Sequence, residues 1–356
     1  MTDAKAKDTP EQAEFRTACR QWLSENHPGD PPVAIPQSAL EINDRDALDW
    51  LKTWQKSAYE AGLVGCDYPK EVGGGGHNNC QAIANEELRK AATPYFPNIS
   101  GLGMAAPAVF FHAREDVKAE LLPRLFSCDD LWCQGFSEPG AGSDLANQQT
   151  FAERKGDGWL INGHKVWTSL AHFADWMILL CRTDRDDKYN GMSYFVVPFA
   201  GAVGNGITVR PLIKMTGGTG FNEVIMEDLF VEDRYRLDEV GAGWKVAMTT
   251  LTHERGAAGL VTPAAGGMSL EKEEGANTAT ALALIELAGL SYRNGKTAAN
   301  DPLIRDQIVQ LLIREEAFKQ NQRRLGVGEL QDQPDRLALQ FKVTGSELGQ
   351  DRTALA

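Results

Sequence analysis

Residues 132–169 read WCQGFSEPGAGSDLANQQTFAERKGDGWLINGHKVWTS. Within them, 148–154 and 159–168 are strand-like runs joined by Lys155-Gly156-Asp157-Gly158. An Asp-Gly between two such runs is a strong hairpin signal. Ahead of the hairpin stands a polar, glycine-punctuated segment, Ser137–Asp144. Gly140 and Gly142 are expected to take positive φ and to let the backbone approach a ligand. Such turns can aim several N–H groups at a phosphate. Trp167, Thr168 and Ser169 leave a flat aromatic and two hydroxyls at the end of the second strand.

Working outward, the strand pattern extends over 131–137, 176–183, 192–198, 206–213 and 222–231, with glycines and aspartates between the runs. No helix of about ten residues alternates with these strands, so the sequence predicts an antiparallel β-barrel or sandwich. That excludes a Rossmann sheet and a nicotinamide dehydrogenase, despite the glycines. Helical periodicity flanks the strands. Phe15, Cys19, Trp22 and Leu23 recur on one face, as do Ala47, Leu51, Trp54 and Ala58. Glu115–Phe126 predicts another helix with Leu121, Leu122 and Leu125 inward, and Gly73–Gly76 a turn. After Gly241 the runs 244–261, 278–293, 302–325 and 336–356 predict a helical bundle. The expected fold is α+β: an all-α domain (1–130), a β-barrel domain (131–238) and an α-helical bundle (239–356).

A chain of 356 residues can bury a large core, and 42% hydrophobic with 24% charged residues is ordinary for a globular protein. The formal charge of −13 argues against nucleic acid or an anionic membrane as partner. An anionic ligand would need its own local positive charge. No secretory leader is visible at the amino terminus, and no apolar run reaches the roughly 18 residues of a membrane span. The six cysteines are scattered with no C-x-x-C, which fits reduced thiols in a cytoplasmic protein. The six histidines show no pair at metal spacing, so no metal is expected.

One carboxylate stands out as a candidate general base. Glu254 shares a helical stripe with Ala247, Leu251 and Ala258, and no cation lies three or four residues away. A carboxylate facing inward there would have a raised pKa, as a base working near neutrality requires. The alternative is an inter-helix salt bridge to a distant arginine.

Four ordered blocks, Ser137–Asp144, INGHKVWTS (161–169), NEVIMEDLFV (222–231) and GAGWKVAM (241–248), resemble the acyl-CoA dehydrogenases, FAD enzymes that desaturate acyl-CoA thioesters. The resemblance implies FAD, an acyl-CoA substrate, electron transfer to an electron-transferring flavoprotein, and a homotetramer or heterotetramer. One subgroup, including isovaleryl-CoA and long-chain acyl-CoA dehydrogenases, places its base on the helix that carries Glu254. The resemblance further implies that Phe136, Ser137, Trp167 and Ser169 line the isoalloxazine, with Thr168 also among the cofactor-binding residues. Gly142 and Ser143 would approach the diphosphate or the thioester end of CoA, and Arg255 would contact the substrate. Arg293 matches an arginine that reaches the FAD diphosphate across a subunit interface. Read locally, Trp167 also fits a barrel core, Ser143-Asp144 a turn, and Arg293 a solvated helix end.

Two departures bear on this reading. The Phe-Gly that follows the family's arginine is replaced by Asn294-Gly295. The family's final segment, which supplies a backbone N–H to the thioester oxygen, has no counterpart after Ala356, and the closing helix lacks a Gly or Pro stop. A fragment of a longer product is therefore expected. An acyl-CoA oxidase, a nitroalkane-oxidase-like flavoenzyme and a non-catalytic subunit of a heteromer remain the alternatives.

Overall fold

The computed structural model describes residues 8–36, 38–215, 217–261, 281–293, 295–324 and 334–356, with the backbone alone for 255–261, 334–339 and 342. The chain forms two compact units, Met1–Gly266 and Gly267–Ala356.

The first unit opens with helices whose ends are written in the sequence. In α1 (Pro10–Asn26), Thr9 and Gln12 form a reciprocal capping box and Pro10 takes the first helical position. Asp44 caps α2 (Arg45–Glu60) by accepting from Ala47 N at 2.9 Å. The stripe Ala47, Leu51, Trp54 and Ala58 is buried as its spacing predicts, and Trp54 stacks on Trp22 of α1. Next come α3 (Gln81–Lys90), a π-helical turn (Gly101–Ala105), α4 (Ala106–His112) and α5 (Glu115–Ser127), with Leu121, Leu122 and Leu125 inside. Gly73–Gly76 is a turn folded back on Gly65, Cys66 and Tyr68.

Eight strands follow: β1 (Trp132–Gly135), β2 (Phe151–Lys155), β3 (Gly158–Ser169), β4 (Trp176–Arg182), β5 (Met192–Pro198), β6 (Ile207–Leu212), β7 (Phe221–Glu232) and β8 (Arg236–Leu237). They make one sheet in the order β6-β7-β3-β2-β4-β5-β8, with β1 alongside β4. The predicted hairpin is β2–β3, closing at Lys155↔Gly158 around a left-handed Gly156. The sheet is not purely antiparallel as expected. β1 runs parallel to β4, and β2 meets β4 in parallel at Phe151↔Arg182. A hairpin forces antiparallel pairing, but β1 enters from the helical layer and no turn sets its direction. Asn98 ties that entry down, donating to Leu125 O and Asp130 O and accepting from Trp132 N.

Helix α6 (Gly243–Val261) completes this unit. Gly241 is left-handed, and a Cβ on Gly243 would stand 2.6 Å from the Ser193 backbone, so the helix starts in contact with β5. Val246, Ala247 and Thr250 form its buried side.

The second unit contains α7 (Ala281–Leu290), a short hairpin of β9 (Tyr292–Arg293) and β10 (Lys296–Thr297), α8 (Pro302–Arg323) and α9 (Pro334–Leu355). Its described core includes Leu284, Ala288, Ile308, Leu311, Phe318 and Leu348. The helix expected over 278–293 stops at Leu290. The sequence Asn294-Gly295 favours a tight hairpin, and Arg293 pairs across it with Lys296.

Among the described residues no helix is long and apolar enough to cross a membrane, and no cluster of three metal-ligating side chains occurs. All six cysteines are buried free thiols.

Candidate active site

The end of β3 is irregular where the sequence places its aromatic and hydroxyl groups. The pairing with β7 slips between Lys165 and Thr168, and Trp167 in that bulge has φ +62°. A bulge re-aims side chains, and here it turns Trp167 outward, 60% exposed, with its ring edge-on to Phe221. The alternative of a core tryptophan is overturned. Ser169 is half-buried beside it. Thr168 points the other way and is wholly buried, with its Oγ1 lacking a hydrogen-bond partner among the described residues.

Alongside runs the 136–144 segment, held to β3 by Val166 N donating to Ser137 O at 2.8 Å. Beneath it lies a feature that the sequence reading missed. Lys165 is wholly buried and donates to Phe136 O, Glu138 Oε1 and Gln148 Oε1 at 2.9, 2.9 and 2.7 Å. Glu138 in turn accepts from Gln149 N and Thr150 N. Burial pushes the Glu138 carboxyl up, but the Lys165 charge and the donated N–H bonds outweigh it and hold the group below its usual range. Burial pushes the Lys165 ammonium down, against the pull of Glu138. A lysine at a core-facing strand position is the signal that could have been read, since an ammonium there needs an anion.

Beyond Glu138 the loop turns out to solvent. Glu138 and Ala141 bond to each other's backbone, and Gly140, Gly142, Ser143 and Asp144 are exposed. Neither Gly140 nor Gly142 adopts the expected left-handed φ, and a Cβ on either would meet nothing within 4 Å. The turn is closed by ordinary backbone bonds, which need no positive φ. Neither conformation nor internal packing accounts for these glycines, so the room they leave faces outward.

The loop and α6 are joined through Tyr194 on β5. Phe136 meets the Tyr194 ring edge-on, and Tyr194 OH lies 2.9 Å from Thr250 Oγ1 on α6. Thr250 donates its own proton to Val246 O, so the tyrosine hydroxyl is the donor between them. Burial pushes the Tyr194 phenol well up, and the Glu254 carboxylate, one helical turn beyond Thr250, adds to the shift. The adjacent Thr249 is bound to the helical layer: His112 Nε2 lies 2.8 Å from its hydroxyl, and His112 Nδ1 donates to Asp238 at 3.0 Å. Consecutive hydroxyls thus fix α6 to both layers.

Glu254 itself is exposed, not inward-facing as its stripe predicts. Ala247 is buried and Leu251 half-buried, so the stripe rises out of the core toward Glu254. Arg255 lies on the same helix with its side chain outside the described residues. Arg293 is exposed in the hairpin of the second unit, off any helix. A cleft of about 900 Å³ bordered by Arg45, His172, Asp175 and Asn222 adjoins the end of β3 at Asn222, whose amide donates to Thr168 O.

These elements define a known class of protein. Residues 9–129 match the acyl-CoA dehydrogenase N-terminal domain and residues 133–232 the acyl-CoA dehydrogenase middle domain. The chain belongs to the acyl-CoA dehydrogenase family, a family of oxidoreductases. It is 37% identical over 312 residues to the acyl-CoA dehydrogenase IpdE1 of Mycolicibacterium smegmatis, covering 84% of this chain and 74% of that one. Among solved structures it is similar to the Tcur3481-Tcur3483 steroid ACAD, with a TM-score of 0.70 and 25% identity over 99% of this chain and 85% of that one. The ChsE4-ChsE5 complex from Mycobacterium tuberculosis gives a TM-score of 0.66 at 25% identity, covering 99% and 84%.

Proposed function

We propose that this chain catalyses α,β-dehydrogenation of an acyl-CoA thioester with bound FAD, and that Glu254 is the base. The observation that carries this reading is the Phe136–Tyr194–Thr250 linkage. It ties α6, one turn before Glu254, through β5 to the loop that carries Ser137, which supports reading the two as parts of one site.

The residues present fit a flavin dinucleotide. An exposed tryptophan held outward by a left-handed backbone offers a flat platform. Ser137 and Ser169 offer hydroxyls to a ring edge, and Gly142 and Ser143 an open backbone to a diphosphate. Thr168, enclosed beneath them, would contribute through the strand it anchors. When bound, FAD supplies the acceptor for the β-hydrogen leaving as hydride. Glu254 removes the α-proton, and its exposed position gives a thioester access to the carboxylate. Arg255 would contact the substrate, and Arg293 would reach the cofactor diphosphate of a neighbouring subunit.

Electrons would leave to an electron-transferring flavoprotein. A homotetramer or heterotetramer in the cytoplasm is the assembly we favour, and the likeness to the ChsE4-ChsE5 complex supports the heteromeric form. The test is Glu254→Gln, assayed with a dye acceptor over a panel of acyl-CoA thioesters. A fall in turnover of about 10² or more with the flavin band retained supports the base. Turnover within about tenfold of the parent assigns abstraction to another group.

A further inference from the structure

The Ser137 N–H, at the root of the 136–144 loop, has no hydrogen-bond partner among the described residues. Its neighbours along the backbone are engaged. Ser137 O accepts from Val166 N at 2.8 Å, and Glu138 N donates to Ala141 O at 2.9 Å. Phe136 O, on the same peptide unit as the Ser137 N–H, accepts from the Lys165 ammonium at 2.9 Å. Ser137 is half-buried between two buried residues, Phe136 and Glu138. A backbone donor in such a place is ordinarily paired, so this one is open to an acceptor from outside the chain. The two ends of its peptide unit are coupled. A cation bonded to the carbonyl oxygen draws electron density out of the amide and makes its N–H the stronger donor. Lys165 is wholly buried, so solvent screens the effect little. Glu138 does not cancel it, because its carboxylate also accepts from Gln149 N at 2.6 Å and Thr150 N at 2.9 Å. The pair therefore acts as a dipole whose positive end rests on Phe136 O.

We propose that Lys165 is a positioning residue that acts through the Phe136–Ser137 peptide: its charge strengthens the Ser137 N–H as a donor to the edge of the bound flavin and so raises the flavin's reduction potential. The proposal rests on the reading of the Ser137 loop as part of the flavin site. Two-electron reduction makes a ring edge richer in electrons and a better acceptor, so a strengthened, fixed donor favours the reduced form. Holding the loop against the sheet needs only a paired lysine. Setting a potential needs its charge to stand on this one carbonyl.

The test measures the two-electron midpoint potential of the FAD-loaded full chain against a reference dye, with no thioester present. Lys165→Met is made together with Glu138→Gln, because removing both charges spares the fold an unpaired one. Lys165→Gln in the same background retains a neutral donor, and it keeps the test open should the methionine variant misfold. Each is expected to lower the preference for reduced over oxidised flavin about threefold to tenfold, a fall of about 15–30 mV for two electrons. Gly243→Ala, which destabilises the chain away from this pair, should keep the parent potential. The parent potential in either folded double variant overturns the proposal, as does an equal fall in Gly243→Ala. Thioester assays on the same preparations separate the two readings. A lowered potential in the variants, with no thioester oxidised by the parent, upholds the role of Lys165 and sinks the dehydrogenation reading. Oxidation by the parent with the potential unmoved in the variants does the reverse, and a parent that retains no flavin sinks both.

Discussion

Lys165 Nζ stands 2.9 Å from Glu138 Oε1, with the lysine side chain wholly enclosed and the carboxylate nearly so. This pair joins β3 to the root of the 136–144 loop and holds the loop in place against the sheet. Replacing one partner leaves the other charge buried and uncompensated, which costs about 3–5 kcal/mol. Glu138→Gln is therefore expected to lower the urea midpoint sharply. Adding Lys165→Met should recover part of the loss, and a double-mutant cycle measures how much.

The same carboxylate gives an acid dependence. Glu138 is held below its ordinary 4.5, so its contribution is complete above that value and is lost as pH falls through the depressed one. Asp233 and Asp238 are held at about 2 against an ordinary 3.8, the first chiefly by its bond from Arg236 and the second by its bond from Lys245. Their contributions should vanish as pH falls from 3.8 through about 2. Acid unfolding followed by circular dichroism checks this, and Asp238→Asn should flatten the lower part of the curve.

Trp167 separates stability from ligand retention. Being exposed and left-handed, it can be replaced by glycine with little loss of packing, and the relief of the backbone is worth about 1 kcal/mol. Trp167→Gly should melt no lower than the parent while releasing flavin on dialysis. A variant that keeps its visible flavin band undiminished would remove the tryptophan from the cofactor site.

Gly243→Ala makes the opposite separation. The added Cβ would overlap the Ser193 backbone at 2.6 Å, so α6 must shift off β5. Overpacking of this kind costs about 1–3 kcal/mol. Thermal denaturation should show the loss, and hydrogen exchange should show weaker protection along α6 than along α1.

The strands, the hairpin and the amphipathic helices α1, α2 and α5 were legible because period and punctuation are local properties of the chain. The end of α7 was less so. An apolar run such as ALALIELAGL suits helix continuation as well as termination, and the Asn-Gly signal follows it. The direction of β1 depends on where the helical layer delivers the chain, which no window of residues contains. For the residues proposed as the site, Ser137, Trp167, Ser169 and Glu254, the sequence supplied types and order but not orientations. Trp167 faces out because of a slipped register with β7, and Glu254 is exposed because its stripe climbs from the core. Lys165 escaped notice because a strand lysine is usually solvated, and only its three acceptors explain why this one is not.

The neighbouring threonines of α6 have a mechanical consequence. Position 249 is fastened to His112 and position 250 to Tyr194, so the helix behaves as a rivet through two plates. Any sliding of the helical layer over the sheet has to break or drag one of these fastenings. The Glu254 carboxylate one turn further along would register that displacement at once, so substitutions far from it along the seam can move it.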